Sequence, residues 1–246
     1  MGSGVFLSAS WEYLAMFNYE VDPAILKEHL PPFTGIDYYD GKALVSVVGF
    51  LFNNTRVMGV KWPGHVNFEE VNLRYYIKHH DGNQYKRGVG FVSEIVPKYM
   101  IATLANRLYN EHYSVAAMHH SVSLENDLIT VEYLWKQKDN WNTLNVKALP
   151  VLQDIKKLSA EEFIFEHYYG YNKLNENTTI EYSLKHPVWQ VYPVTDYLIN
   201  CDVEKLYGKA FVPFIQDQKP HSVFLAKGSE VIVRMPVKKH GLIKPY

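Results

Sequence analysis

Three stretches of this 246-residue chain bring ionisable side chains close enough in sequence to act together. The first is Phe68-Glu69-Glu70-Val71-Asn72-Leu73-Arg74-Tyr75-Tyr76-Ile77. Read as a strand, it alternates between two faces. Glu70, Asn72 and Arg74 share one face with Phe68 and Tyr76, and Val71, Leu73, Tyr75 and Ile77 share the other. A guanidinium on such a face forks to a ligand carboxylate, and Glu70 gives or takes a proton. Rings that bracket a polar set suit a pocket wall. The alternative for the same pattern is an outer face in solvent.

The second stretch is Ala105-Asn106-Arg107-Leu108-Tyr109-Asn110-Glu111-His112-Tyr113-Ser114. Arg107 and Glu111 are four apart, which on a helix makes an ion pair. Exposed, such a pair contributes only about 0.3–0.5 kcal/mol. At a helix end that enters a pocket, it orients a substrate, with Tyr113 beside it. The third stretch is Phe163-Ile164-Phe165-Glu166-His167-Tyr168-Tyr169-Gly170-Tyr171. His167 beside Glu166 in an aromatic run is a candidate general acid or base. A core histidine bonded to backbone is the alternative.

Other chemistries lack their residues. The 11 histidines are scattered, and the pairs His79-His80 and His119-His120 point to opposite faces if they lie on strands. Without HExxH or CxxC, no metal is expected. Without GxGxxG, a P-loop or GxSxG, neither nucleotide binding nor α/β-hydrolase chemistry is expected, and no cofactor is implied. The single cysteine, Cys201, cannot form an internal disulfide and reads as a small buried apolar residue.

The elements that must position these residues are mostly strands. Asp22-Pro23 opens a short helix through Leu30, stopped by Pro31-Pro32. Strands are predicted at 34–40 and 42–52, with Ala43 to Val48 buried on both faces. A long hairpin joins 68–78 to 85–96 through Asp81-Gly82-Asn83. Residues 98–110 have helical spacing, with Ile101, Leu104, Ala105 and Leu108 on one face. Further strands are predicted at 115–124, 128–136, 143–149, 178–185, 188–192, 221–226 and 231–237. Asn126-Asp127 reads as a turn. Ser159-Ala160-Glu161-Glu162 is a helix start, and 202–207 is a short helix ended by Gly208. Many strands and few helices, with no βαβ rhythm, favour a barrel or sandwich over a doubly wound sheet.

Composition agrees. Aromatic residues make up 15% of the chain, and they suit strands and pocket walls. With 25 basic and 26 acidic residues, nothing electrostatic favours nucleic acid or an anionic membrane. No run approaches the ~20 apolar residues of a membrane helix, and the N-terminus lacks a signal peptide, so cytoplasm is the default. The length fits one domain over 1–246, with 1–10 as a flexible lead.

Taken in order, several segments resemble a known family. They are Trp11…Asn18-Tyr19…Asp22-Pro23, Leu30-Pro31, Phe68 to Tyr76, Arg87-Gly88-Val89, Ala105 to Tyr113, Phe165 to Tyr171, His186-Pro187-Val188-Trp189, Leu206-Tyr207-Gly208 and Ala226-Lys227-Gly228-Ser229. Together they resemble the YqjF-like bacterial family of unknown function, over about Trp11 to Val237. The resemblance implies an acetoacetate-decarboxylase-like fold: a mainly-β (α+β), closed or cone-like β-barrel with a few short helices and an internal pocket. In that decarboxylase a buried lysine forms a Schiff base with a keto acid, its pKa lowered by a neighbouring cation. By order, the paired lysines of that motif fall near Tyr113 and Ser114, so neither is present. Lys156-Lys157 and Lys238-Lys239 lie in polar segments elsewhere. Glu70 corresponds to the decarboxylase's pocket glutamate.

The expected function is therefore a polar pocket that binds a small carboxylate or carbonyl compound without imine chemistry. Glu70, Glu166 and His167 are the candidate catalytic groups. Asn72, Arg74, Tyr76, Arg107, Glu111 and Tyr113 are the candidate binding groups. The alternative is a non-catalytic protein with a vestigial pocket that binds a partner or itself.

Overall fold

The computed structural model describes residues 4–240. In chain order its elements are β1 (Val5–Val21), β2 (Thr34–Ile36), β3 (Ala43–Val57), β4 (Phe68–His80), β5 (Tyr85–Val96), α1 (Tyr99–Tyr109), β6 (Tyr113–Val115), β7 (Met118–Glu125), β8 (Leu128–Gln137) and β9 (Asn140–Ala148). There follow α2 (Ala160–Phe165), β10 (Tyr169–Asn175), β11 (Thr178–Lys185), β12 (Val191–Tyr192), β13 (Val194–Asn200), α3 (Val203–Tyr207), α4 (Val212–Ile215), β14 (Ser222–Arg234) and β15 (Val237–His240). The fold is mainly β with a few short helices, as the sequence predicts.

One sheet runs β14-β1-β3-β4-β5-β10-β11, and β11 pairs back onto β14, so the path closes into a ring. A second, four-stranded sheet, β13-β9-β8-β7, packs against the outside of the ring. Strand alternation therefore builds two cores. Val71, Leu73, Tyr75 and Ile77 of β4 face outward into a core shared with Val131, Tyr133 and Trp135 of β8. Phe68 and Tyr76 face inward and join Phe50, Phe52, Phe165 and Trp189. This places Ala43 to Val48 between two cores, and all six residues are buried. Gly49 lets the second sheet approach closely: a Cβ there would stand 2.7 Å from the Tyr133 ring.

Two turn readings hold in detail. Asn126 and Asp127 both adopt positive φ, 49° and 58°, as a tight hairpin turn requires. Asp202 caps α3, accepting from the Lys205 amide, and Gly208 ends it at φ 98°.

Other readings need correction. The helix after Asp22 is a 3-10 turn over Pro23–Leu26 only. The buried residues of α1 are Ala102, Ala105 and Tyr109, and Leu108 is exposed. Residues 221–226 and 231–237 are not separate strands: β14 continues through Gly228, whose φ of 83° no residue with a side chain adopts easily. A Cβ on Gly228 would also stand 1.9 Å from the Trp11 carbonyl oxygen. The flexible lead is overturned as well: Val5 to Ser10 pair with β14. Residues 1–3 lie outside the described part. The strands β10 and β13 carry no alternation strong enough to reveal them.

Candidate functional site

Inside the ring lies a cavity of about 100 Å³. Its apolar wall includes Trp11, Phe50, Phe52, Phe68, Phe91 and Trp189. Its polar side is built mainly by β4, where Glu70, Asn72 and Arg74 all point inward and are 3%, 2% and 9% exposed. The polar face of β4 therefore meets the interior, and the solvent alternative is excluded. Tyr76 sits on the same face, fully buried, and its hydroxyl and Ser46 Oγ are 2.6 Å apart. Ser46 Oγ donates to Asn18 Oδ1 at 2.6 Å, so the tyrosine donates to the serine.

A further part of the site comes from β5 through a bulge. Leu73 pairs with Ser93 but Arg74 pairs with Phe91, so Val92 is an extra residue. The bulge turns Glu94 inward, opposite Asn72. The remainder comes from the segment after α1. Asn110 takes a left-handed φ of 53°, ends the helix and swings Glu111 toward the cavity. Asn106 then grips the Tyr113 backbone through bonds of 3.0 and 2.9 Å.

These elements assemble three glutamates. Glu70 accepts from Asn72 Nδ2 at 2.9 Å and from the Tyr113 hydroxyl at 2.8 Å. Glu111 accepts from the Tyr182 hydroxyl at 2.6 Å and from Asn172 Nδ2 at 3.3 Å. Burial pushes Glu70 and Glu111 up to about 7, against the pull of those donors. Burial, with Glu111 and Glu70 as like-charged neighbours, drives Glu94 well above the usual carboxylate range. Three carboxyl groups this close cannot all ionise, so the set holds a proton at neutral pH.

Arg74 supplies the positive charge. Its Nε lies 3.4 Å from the Tyr76 hydroxyl, Nη2 lies 3.6 Å from Met16 Sδ, and the guanidinium sits 5.6 Å from the Tyr76 ring centre. Among the described residues, no carboxylate comes within ion-pair distance of it.

His167 has a different commitment. Its Nδ1 and Phe163 O are 2.7 Å apart, and Nε2 lies 3.3 Å from Asp37 Oδ2. Asp37 also holds Arg87 at 2.6 Å and Lys78 at 3.2 Å. Burial lowers the His167 pKa to about 4, with Asp37 opposing the shift. The ring thus borders the cavity, fixed to α2 through Phe163 and facing the Asp37 carboxylate.

Three expected residues do not line the cavity: Tyr76, whose hydroxyl lies 3.4 Å from Arg74 Nε, together with Glu166 and Arg107. Glu166 lies half-buried outside the cavity, accepting from the Tyr168 hydroxyl at 3.0 Å. Arg107 is exposed and makes no ion pair with Glu111, because Glu111 stands beyond the helix end and the i to i+4 geometry is lost. Sequence reasoning missed Glu94, Asn172, Tyr182 and Asp37. A charged residue within Val92-Ser93-Glu94-Ile95-Val96 was the one signal for Glu94. No lysine lines the cavity among the described residues.

Solved structures with this fold include acetoacetate decarboxylase from Legionella pneumophila (12% identity, TM-score 0.62, covering 98% of this chain and 88% of that one). An acetoacetate-decarboxylase-like enzyme from Sphingomonas wittichii RW1 is similar at 12% identity and TM-score 0.64, with 96% and 94% covered. The enduracididine biosynthesis enzyme MppR, complexed with pyruvate, is similar at 11% identity and TM-score 0.65, with 96% and 90% covered. At these identities the likeness shows the fold alone. The uncharacterized protein YqjF of Bacillus subtilis (strain 168) is 25% identical over 132 residues, which span 53% of this chain and about half (51%) of that protein. The DUF2071 family of uncharacterized conserved proteins matches residues 8–230, and the chain belongs to it.

Proposed function

We propose that the cavity inside the ring binds a small carboxylate or carbonyl compound. Arg74 takes its carboxylate, and Glu70, Glu94 and Glu111 hold or move a proton beside it. The observation that carries this reading is the unpaired guanidinium. Burying a cation is costly unless an anion and hydrogen bonds compensate it. A thioether, one long contact to a phenol and the more distant carboxyl of Glu70 leave the guanidinium fork open, and a carboxylate matches it. A carboxyl group near 7 is matched to acid–base work at neutral pH, which suits the glutamates to that role. Size limits the ligand: a cavity of about 150 Å³ accommodates benzene, so about 100 Å³ suits a molecule of a few non-hydrogen atoms. The pyruvate complex of MppR, on a similar fold, supports a small acid. With no lysine at the cavity among the described residues, the chemistry we propose proceeds without an imine.

The test is a thermal-shift panel of small keto acids, hydroxy acids, aldehydes and lactones on the native protein and on Arg74→Ala. A ligand at a hundred times its dissociation constant stabilises by about 2.7 kcal/mol. At least one acid is expected to raise the melting temperature of the native protein and not of the variant, with circular dichroism confirming that the variant folds. A panel with no shift, or equal shifts in both proteins, overturns the reading.

A further inference from the structure

Four residues that line the cavity each hold a buried polar atom without a hydrogen-bond partner among the described residues: Trp11 Nε1, Asn72 Oδ1, Glu94 Oε2 and His167 Nε2, the last 3.3 Å from Asp37 Oδ2. Native proteins leave few such atoms, so each one at a cavity describes what belongs there. Asn72 is the most telling. Its amide nitrogen donates to Glu70 Oε1 at 2.9 Å, which turns the carbonyl oxygen to the other side. A carbonyl oxygen only accepts. Glu94 stands directly across the strand pair from it, and Arg74 is two residues along the same face, about 7 Å away at strand spacing.

A keto acid offers Arg74 a carboxylate, but its other polar atom is also an acceptor. Seated here, it would leave Asn72 Oδ1 buried without a donor. An acid with an O–H or N–H donor satisfies both ends.

We infer that the ligand is a small acid that carries a hydroxyl or ammonium donor besides its carboxylate, with Arg74 reading the carboxylate and Asn72 Oδ1, backed by Glu94, reading the donor. This rests on the reading of the cavity as a small-acid site and narrows it. Asn72 becomes the residue that rejects the keto form. A buried acceptor left unpaired weakens binding by about tenfold or more.

Two matched series test it by titration calorimetry: pyruvate, lactate and alanine at three carbons, and 3-oxobutanoate, 3-hydroxybutanoate and 3-aminobutanoate at four. The hydroxy or amino member of at least one series is expected to bind about tenfold or more tightly than its keto member. The comparison between those two members identifies the donor. In Asn72→Leu the ratio is expected to fall to within about twofold, and Asn72→Ala serves if leucine disrupts folding. A keto member that binds as tightly as both its partners, or a ratio that survives loss of the amide, overturns the inference and leaves the small-acid reading standing. No binding by any of the six overturns the small-acid reading and the inference together.

Discussion

Replacing Glu70 by glutamine removes one carboxyl from the buried set and leaves its shape. At its ordinary value of 4.5 a carboxyl is ionised throughout the neutral range, whereas burial holds Glu70 at about 7. The folded protein therefore keeps a proton that the unfolded chain has released. Full stability is present below about pH 4.5 and is lost as pH rises through about 7. At about 1.4 kcal/mol per pH unit, the loss for this one group is about 3 kcal/mol. Glu94 and Glu111 share the same proton balance, so removing the Glu70 charge also relaxes them. Urea unfolding followed by tryptophan fluorescence at pH 5, 6, 7 and 8 measures the effect. His29, His167 and His186, all lowered by burial, act in the opposite direction below about pH 6.5. They cancel in the difference between the two proteins. At pH 5, Glu70→Gln is expected to lie within about 1 kcal/mol of the native protein, since the amide oxygen can still accept from Asn72 Nδ2 and the amide nitrogen can donate to the Tyr113 hydroxyl oxygen. By pH 8 it is expected to be more stable by about 3 kcal/mol. A difference that stays constant from pH 5 to 8 would refute a buried, proton-holding Glu70.

Asp37→Ala strands Arg87, Lys78 and His167 around a missing carboxylate, and it is expected to cost about 3 kcal/mol, near the low end for a broken buried pair because the two long cations reach solvent. The bonds and charges of His167 and Arg87 outweigh burial and hold Asp37 well below the usual carboxylate range, so its stability is present at neutral pH and lost on acidification. Chemical unfolding between pH 2 and 7 is expected to show a smaller acid-side loss in the variant; an unchanged slope contradicts the cluster's role. Borohydride added with 3-oxobutanoate is expected to leave the protein's mass unchanged, and a reduced adduct on any lysine would contradict a lysine-free cavity.

The inward face of β4 was legible because period-two alternation is fixed by the backbone, and the mixture of Glu70, Asn72 and Arg74 with Phe68 and Tyr76 belongs to neither solvent nor a dry core. Glu94 was hidden by the bulge. Counting back from the 81–84 turn without it, Ser93 would face Asn72 and Glu94 would point outward; the extra residue at Val92 reverses them. Arg107 failed for a related reason: helical spacing was extended past Asn110, where a left-handed residue had already ended the helix. Asp37 lies outside any regular element, and only the folded chain brings it to Arg87 and His167. Local periodicity thus carried the strand faces, and Glu94, Arg107 and Asp37 were misjudged where one residue breaks the period or where partners meet through the fold.

The ring is held unevenly. On one flank β10 meets β5 through two residue pairs, Tyr169 with Gly88 and Gly170 with Val89. On the other, β11 meets β14 through two more, Leu184 with Val233 and Lys185 with Ile232, and then β15 through four, from Glu181 with Val237 to Thr178 with His240. The β10–β11 hairpin is therefore anchored along β14 and β15 and joined to β5 by a short seam. A seam with so few backbone bonds opens at low free energy, and the amides beside it exchange early with solvent hydrogen. This hairpin also carries Asn172 and Tyr182, the two donors on Glu111. Parting of that seam would take both bonds from Glu111, so the closure of the wall at β5 and the charge within it are linked.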